Sequence, residues 1–90
     1  MTETTETMIK RLHMRSMRRG IKEMDLILSA FAEANLAGMS RDDLALYDAL
    51  LAENDHDLYG WVGGQFEVPA RYEAMIADIA KGAEGVTRPG

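Results

Sequence analysis

The sequence predicts an all-α protein, a compact bundle of about five short helices forming a single domain. Three observations predict it. Apolar residues recur at i, i+3, i+4 and i+7, as in Met24, Ile27, Leu28 and Phe31. That spacing lines one face of a 3.6-residue helix. No segment alternates convincingly with period two, the pattern of a half-buried strand. Glycine, proline and capping residues punctuate the chain at Gly20, Gly38, Ser40, Asn54, Gly63-Gly64 and Pro69, where helices are expected to stop and start.

Each element has its own reason. Residues 1–5 are polar and are expected to fray. Thr5 or Thr7 offers a hydroxyl to cap a first helix from about Glu6 to Arg18. On a helical wheel Arg11, Arg15, Arg18 and Lys22 share one stripe. Ile9, Leu12 and Ser16 lie to one side of it, Met14 and Met17 to the other. One flank is expected to pack inward. The Met14/Met17 flank suits a partner, because methionine is flexible and polarizable. Gly20 is expected to end this helix, either as a cap with positive φ or to let another backbone approach, and both can hold.

A second helix, about Ile21 to Ala34, is apolar on several sides and reads as the central element. Asp25 and Glu33 take its wet edge, and Asn35 to Gly38 close it. Ser40 caps a third helix to about Glu53, with Asp42 and Asp43 in the first turn where the helix dipole favours acids. Its buried stripe is Leu44, Tyr47, Leu50 and Leu51. Asn54 or Asp55 caps a brief fourth helix with Leu58, Trp61 and Val62 on its apolar face and Trp61 as a core anchor. Gly63-Gly64 ends it. Pro69 opens a fifth helix at its first position, with Tyr72, Met75, Ile76 and Ile79 as its core stripe and Gly82 as its end. The folded domain is thus expected over 6–82, with a disordered tail over 83–90.

Composition narrows the function. A chain of 90 residues buries only roughly 60–65% of its extended surface, which leaves one thin core and little room for a deep pocket. There is no cysteine, and His13 and His56 are the only histidines, so no metal site is expected. The acids from Glu53 to Asp57 read as caps, since the further oxygen ligands of a calcium loop do not follow. No apolar run approaches the roughly 20 residues of a membrane span, and no signal peptide is expected, because the first residues are polar and acidic. A cytoplasmic protein, a monomer, is expected.

Net charge is −5, and it is segregated. Residues 10–22 hold Lys10, Arg11, Arg15, Arg18, Arg19 and Lys22 with no acid, six of the ten basic residues. A basic helix on an acidic domain suggests oriented contact with an acidic surface. Nucleic acid is not expected as a partner: the chain is acidic overall, and the second helix offers Met24, Leu26, Ile27, Leu28 and Phe31 where base edges would need polar readers. There is no phosphate loop, dinucleotide fingerprint or nucleophile elbow. His13 has no orienting carboxylate among its sequence neighbours. Catalysis by this chain alone is not expected.

Arg19-Gly20-Ile21-Lys22-Glu23 forms an R-G-x-x-E motif, followed by Met24-Asp25-Leu26-Ile27-Leu28 and Phe31-Ala32. Downstream come Tyr47, Leu50-Leu51 and Asp55-His56-Asp57-Leu58-Tyr59-Gly60-Trp61. From about Lys10 to Ala80 this succession closely resembles the small FAD assembly factors of succinate dehydrogenase, the flavinylation factor family. The resemblance implies an all-helical protein without enzyme activity of its own. It implies binding to the flavoprotein subunit of succinate dehydrogenase, and in bacteria also of fumarate reductase. It further implies promotion of covalent FAD attachment to a histidine of that subunit, with no FAD held stably by the factor. Arg19, Gly20 and Glu23 match the motif, and Arg15 belongs to the same basic face. A wider contact set adds Arg11, Met14, Met17 and Asp57. Where this chain has Met14 and Met17 the nearest patterns tend to carry aromatics, and a histidine often replaces Arg18. Two other readings stand beside this one: a helical adaptor or antitoxin-like interaction module, and a direct carrier of FAD.

Overall fold

A computed structural model describes residues 3–87, with side chains described to Ala83. Five α-helices follow in order: α1 (Thr5–Arg15), α2 (Lys22–Asn35), α3 (Arg41–Leu51), α4 (Asp55–Val62) and α5 (Glu73–Thr87). Short 3-10 turns occupy Leu36–Gly38 and Ala70–Tyr72. No strand occurs among the described residues.

The core is the set of stripes that helical periodicity marks out. α2 contributes Met24, Ile27, Leu28, Phe31 and Ala32, and packs against α5, α1 and α4. α3 adds Leu44, Tyr47, Leu50 and Leu51. Tyr72, Met75, Ile76 and Ile79 close the core from the C-terminal side. Burying each large side chain contributes roughly 1.5–3 kcal/mol. This burial, more than any polar contact, holds the bundle together. On α1 the inward flank is Met8, Leu12 and Ser16, with Ile9 half-buried, while Met14 and Met17 are 73% and 51% exposed. One flank thus packs inward, as expected, and it is the Leu12/Ser16 flank.

Several details differ from expectation. Thr4, not Thr5 or Thr7, caps α1, its Oγ1 accepting from the Thr7 N–H at 3.1 Å. Residues expected to fray are tied down at Glu3, whose carboxylate meets Arg11 and whose carbonyl accepts from Arg41 at 3.0 Å. Met1 and Thr2 lie outside the described residues. The first helix stops at Arg15, three residues early. The left-handed residue after it is Arg18, φ 55°, and not Gly20. Leu26, counted among the enclosing apolar residues of α2, is 49% exposed. Trp61 is only half-buried, its ring 5.8 Å from that of Tyr72; Tyr47 and Tyr72 are the fully buried aromatics.

Pro69 precedes a 3-10 turn, closed by the Tyr72 N–H on the Pro69 carbonyl at 2.9 Å, before α5 begins. The helix expected to end at Gly82 runs on to Thr87. A mid-helix glycine costs only about 1 kcal/mol, and burial of Ala83 against the core offsets it. Residues 88–90 of the expected tail lie outside the described residues.

Candidate functional site

The seam between α1 and α2 is a six-residue connection, Ser16 to Ile21. It is held by carboxylates from two other places in the chain. Asp25, in the first turn of α2, accepts the Arg18 backbone N–H at 2.9 Å and the Ser29 hydroxyl at 3.2 Å. Asp55, at the start of α4, accepts from Arg19 Nε at 2.8 Å through one oxygen and from the Gly20 N–H at 2.7 Å through the other. Asn54 caps α4 by accepting the His56 N–H at 2.8 Å, which leaves the Asp55 carboxylate free to face the seam.

The Arg19 guanidinium is engaged within the chain through all three of its nitrogens. Besides Asp55 it donates to the Arg15 carbonyl at 2.7 Å and the Leu51 carbonyl at 3.0 Å. Its side chain is 12% exposed. A planar guanidinium can serve several acceptors at once because its five donors fan out in one plane. Here it gathers the free C-terminal carbonyls of α1 and α3, groups that a helix leaves without internal partners.

Gly20 is exposed, but it is close to Asp55. A Cβ there would stand 3.1 Å from Asp55 Oδ2. The neighbour that demands a small residue is thus a side chain, where the sequence suggested a backbone. Glu23 is exposed and makes no ion pair among the described residues. The R-G-x-x-E motif therefore divides: its arginine faces inward and its glutamate faces out.

The basic stripe divides too. Arg11 spans Glu3 and Asp48, and Arg15 also reaches Asp48. The Arg11 hydrogen bonds, with the Arg15 charge beside them, hold the Asp48 carboxyl below the usual carboxylate range. Lys10, Arg18 and Lys22 form no ion pair among the described residues. Part of the acidic surface that the basic helix calls for is thus this chain's own. Met14 and Met17 stand at the outer edge of the seam. Met17 lines an open hollow of about 350 Å³ with His13, Ser29 and Glu33. Asp57 is exposed on the first turn of α4.

Sequence reasoning missed Asp48 and gave Asp55 only a capping role. A signal existed for the first. Asp48 falls between Leu44 and Leu51 on the buried side of α3, and a carboxylate there needs a cation from the helix packed against it. The contact between α1 and α3 supplies two. Nothing local in the sequence marks the pairing of Asp55 with Arg19, which are 36 positions apart.

A bundle of short helices with a pinned seam, an outward glutamate and exposed methionines beside it defines a small all-helical domain. Residues 10–83 match the family described as flavinator of succinate dehydrogenase, and the chain belongs to that family. It is 39% identical over 92 residues to succinate dehydrogenase assembly factor 2-B, mitochondrial, of Drosophila mojavensis, covering 96% of this chain and 59% of that protein. It is 51% identical over 59 residues to succinate dehydrogenase assembly factor 2, mitochondrial, of Aspergillus terreus, covering 66% of this chain and 20% of that protein. The protein of the same name from Meyerozyma guilliermondii is 46% identical over 66 residues, covering 73% of this chain and 49% of its own length. The chain thus spans three fifths or less of these relatives. Their names describe assembly factors and not enzymes. All three are named as mitochondrial, which corrects the cytoplasmic placement read from the sequence. Lack of cysteine never discriminated between those compartments. No helix among the described residues is long and apolar enough to cross a membrane.

Proposed function

We propose that this protein is an assembly factor that docks on the flavoprotein subunit of succinate dehydrogenase, and on that of the related fumarate reductase where one is present. Docking promotes covalent attachment of FAD to that subunit. The observation that carries the reading is the family match over residues 10–83, which includes an R-G-x-x-E seam whose Gly20 and Glu23 are exposed.

The contact surface is built from Glu23, half-exposed Arg15 and the Met14/Met17 flank, arranged around the Gly20 turn, with Arg11 and Asp57 at its margins. Arg19 supports it from behind. Exposed methionines supply adaptable apolar area, and Glu23 supplies a carboxylate able to form a charge-assisted pair with a cation on the partner. The factor acts by differential affinity. It binds the flavin-competent arrangement of the subunit better than the alternatives and so raises its population. The bond-forming groups belong to the partner, and FAD stays with the partner throughout. The factor works as a monomer.

The test is in-gel flavin fluorescence of the flavoprotein subunit co-expressed with wild-type protein or with Gly20→Arg. The wild-type protein should raise covalent flavin. Gly20→Arg should fail to do so while its circular dichroism stays helical. A flavin signal equal with and without the wild-type protein would overturn the reading.

A further inference from the structure

One carboxylate ties together the arginine and the glycine of the motif. Asp55 Oδ1 is the acceptor for Arg19, and Asp55 Oδ2 for the Gly20 N–H. The Asp55 side chain is 21% exposed; its bond to Arg19 is part-buried and its bond to the Gly20 N–H lies at the surface. Arg19 in turn fixes the ends of α1 and α3 through the Arg15 and Leu51 carbonyls. With Asp25 holding the Arg18 N–H from the other side, the backbone on either side of Arg19 has little freedom left. Glu23 follows Gly20 by three residues, and Met17 precedes it by three. The direction in which both point is set by this stretch.

We infer that Asp55 is a positioning residue for docking, and that Arg19 and Gly20 serve the partner contact through it. This inference rests on the docking function proposed above. It assigns Gly20 a different task from contact with the partner. Its missing side chain makes room for Asp55 Oδ2, which a Cβ would meet at 3.1 Å. That oxygen cannot retreat without lengthening the bond it accepts from the Gly20 N–H, and its sister oxygen is pinned by Arg19.

A double-mutant cycle separates the two tasks, because residues that act through one contact are not additive. Affinity for the isolated flavoprotein subunit is measured by titration for wild type, Gly20→Ala, Asp55→Ala and the double variant. Each single change is expected to weaken binding by about tenfold, and the double variant by about the same factor as the worse single one. Arg19→Lys, which keeps the charge and loses the planar fork, should weaken binding alike. The Gly20 amide proton supplies a readout independent of the partner. In the free protein its NMR resonance should lie downfield, as a bond to a carboxylate requires, and should move upfield in Asp55→Ala while helicity is retained. Losses that multiply to about a hundredfold in the double variant would mean that Gly20 meets the partner directly, and would overturn the inference. So would unchanged affinity in Asp55→Ala, or a Gly20 amide indifferent to it. Failure of the wild-type protein itself to bind the subunit would instead sink the docking function.

Discussion

The Tyr47 hydroxyl lies 2.6 Å from Ser16 Oγ, and neither residue is exposed. Ser16 donates its single proton to the Leu12 carbonyl at 2.7 Å, so Tyr47 is the donor between them. This pair locks the end of α1 to the middle of α3, just ahead of the seam. Burial pushes the Tyr47 phenol up to about 12, against about 10 in an unfolded chain. The fold favours the neutral form, so the associated stability is fully present below about pH 10 and is lost as pH climbs toward 12. It amounts to about 3 kcal/mol. Tyr47→Phe cannot ionise. It should lower stability at neutral pH by about 1 kcal/mol yet resist alkaline unfolding better relative to its own neutral value. Circular dichroism across pH 9 to 12 (roughly the window of the shift) checks this, and parallel alkaline curves for the two proteins would refute it.

Arg18 holds φ 55° without being glycine. A left-handed conformation costs an ordinary residue roughly 1–2 kcal/mol. Arg18→Gly removes most of that strain, keeps the N–H bonded to Asp25, and pays some chain entropy in return. A net gain of up to about 1 kcal/mol is expected in urea denaturation. Arg18→Val should lose stability, since a β-branched side chain tolerates positive φ worst.

Asp48 accepts from both Arg11 and Arg15 with a side chain 28% exposed. Its carboxyl titrates lower in the fold than in the unfolded chain, first because of the Arg11 hydrogen bonds. The stability it contributes is therefore present above about pH 4 and is lost as pH falls through the folded value. Asp48→Asn should cost about 1 kcal/mol at neutral pH, as surface ion pairs do. The difference should shrink in acid and in high salt. A gap between the two proteins that is constant from neutral pH to acid would argue against the pairing.

The inward arginine and the outward glutamate of the motif should separate in experiment. Arg19→Ala strands the Asp55 carboxylate and two helix-end carbonyls, and is expected to cost about 2 kcal/mol. Thermal unfolding should then fall by roughly 4–8 °C for each kcal/mol in a domain of this size. Glu23→Ala touches no internal partner and should change stability by less than about 0.5 kcal/mol, while reducing flavinylation of the partner subunit. Equal thermal losses for both would show that the division drawn here does not exist.

Much of this was legible in the residues. The α3 stripe of Leu44, Tyr47, Leu50 and Leu51, the Ser40 cap, a cap at Asn54 or Asp55 and the central place of α2 all follow from periodicity and short-range capping chemistry. These are local rules, written within one or two helical turns. The end of α1 was not legible. Arg18 continues a helical pattern, yet it takes φ 55° and gives its N–H to Asp25 of α2, while Asp55 of α4 holds the next two residues, Arg19 and Gly20.

The sequence by itself determined the number and order of the helices, most of their buried faces and the kinship carried by residues 10–83. Only the tertiary structure decided that Arg19 turns inward while Glu23 turns out, and that the basic helix spends Arg11 and Arg15 on Asp48. The physical reason is distance along the chain. Helix propensity and amphipathicity depend on neighbours three or four positions away, whereas Arg19 meets Asp55 across 36 positions and Arg11 meets Asp48 across 37. Which of several acids a cation will choose is fixed only when packing of the apolar faces has brought the candidates within reach.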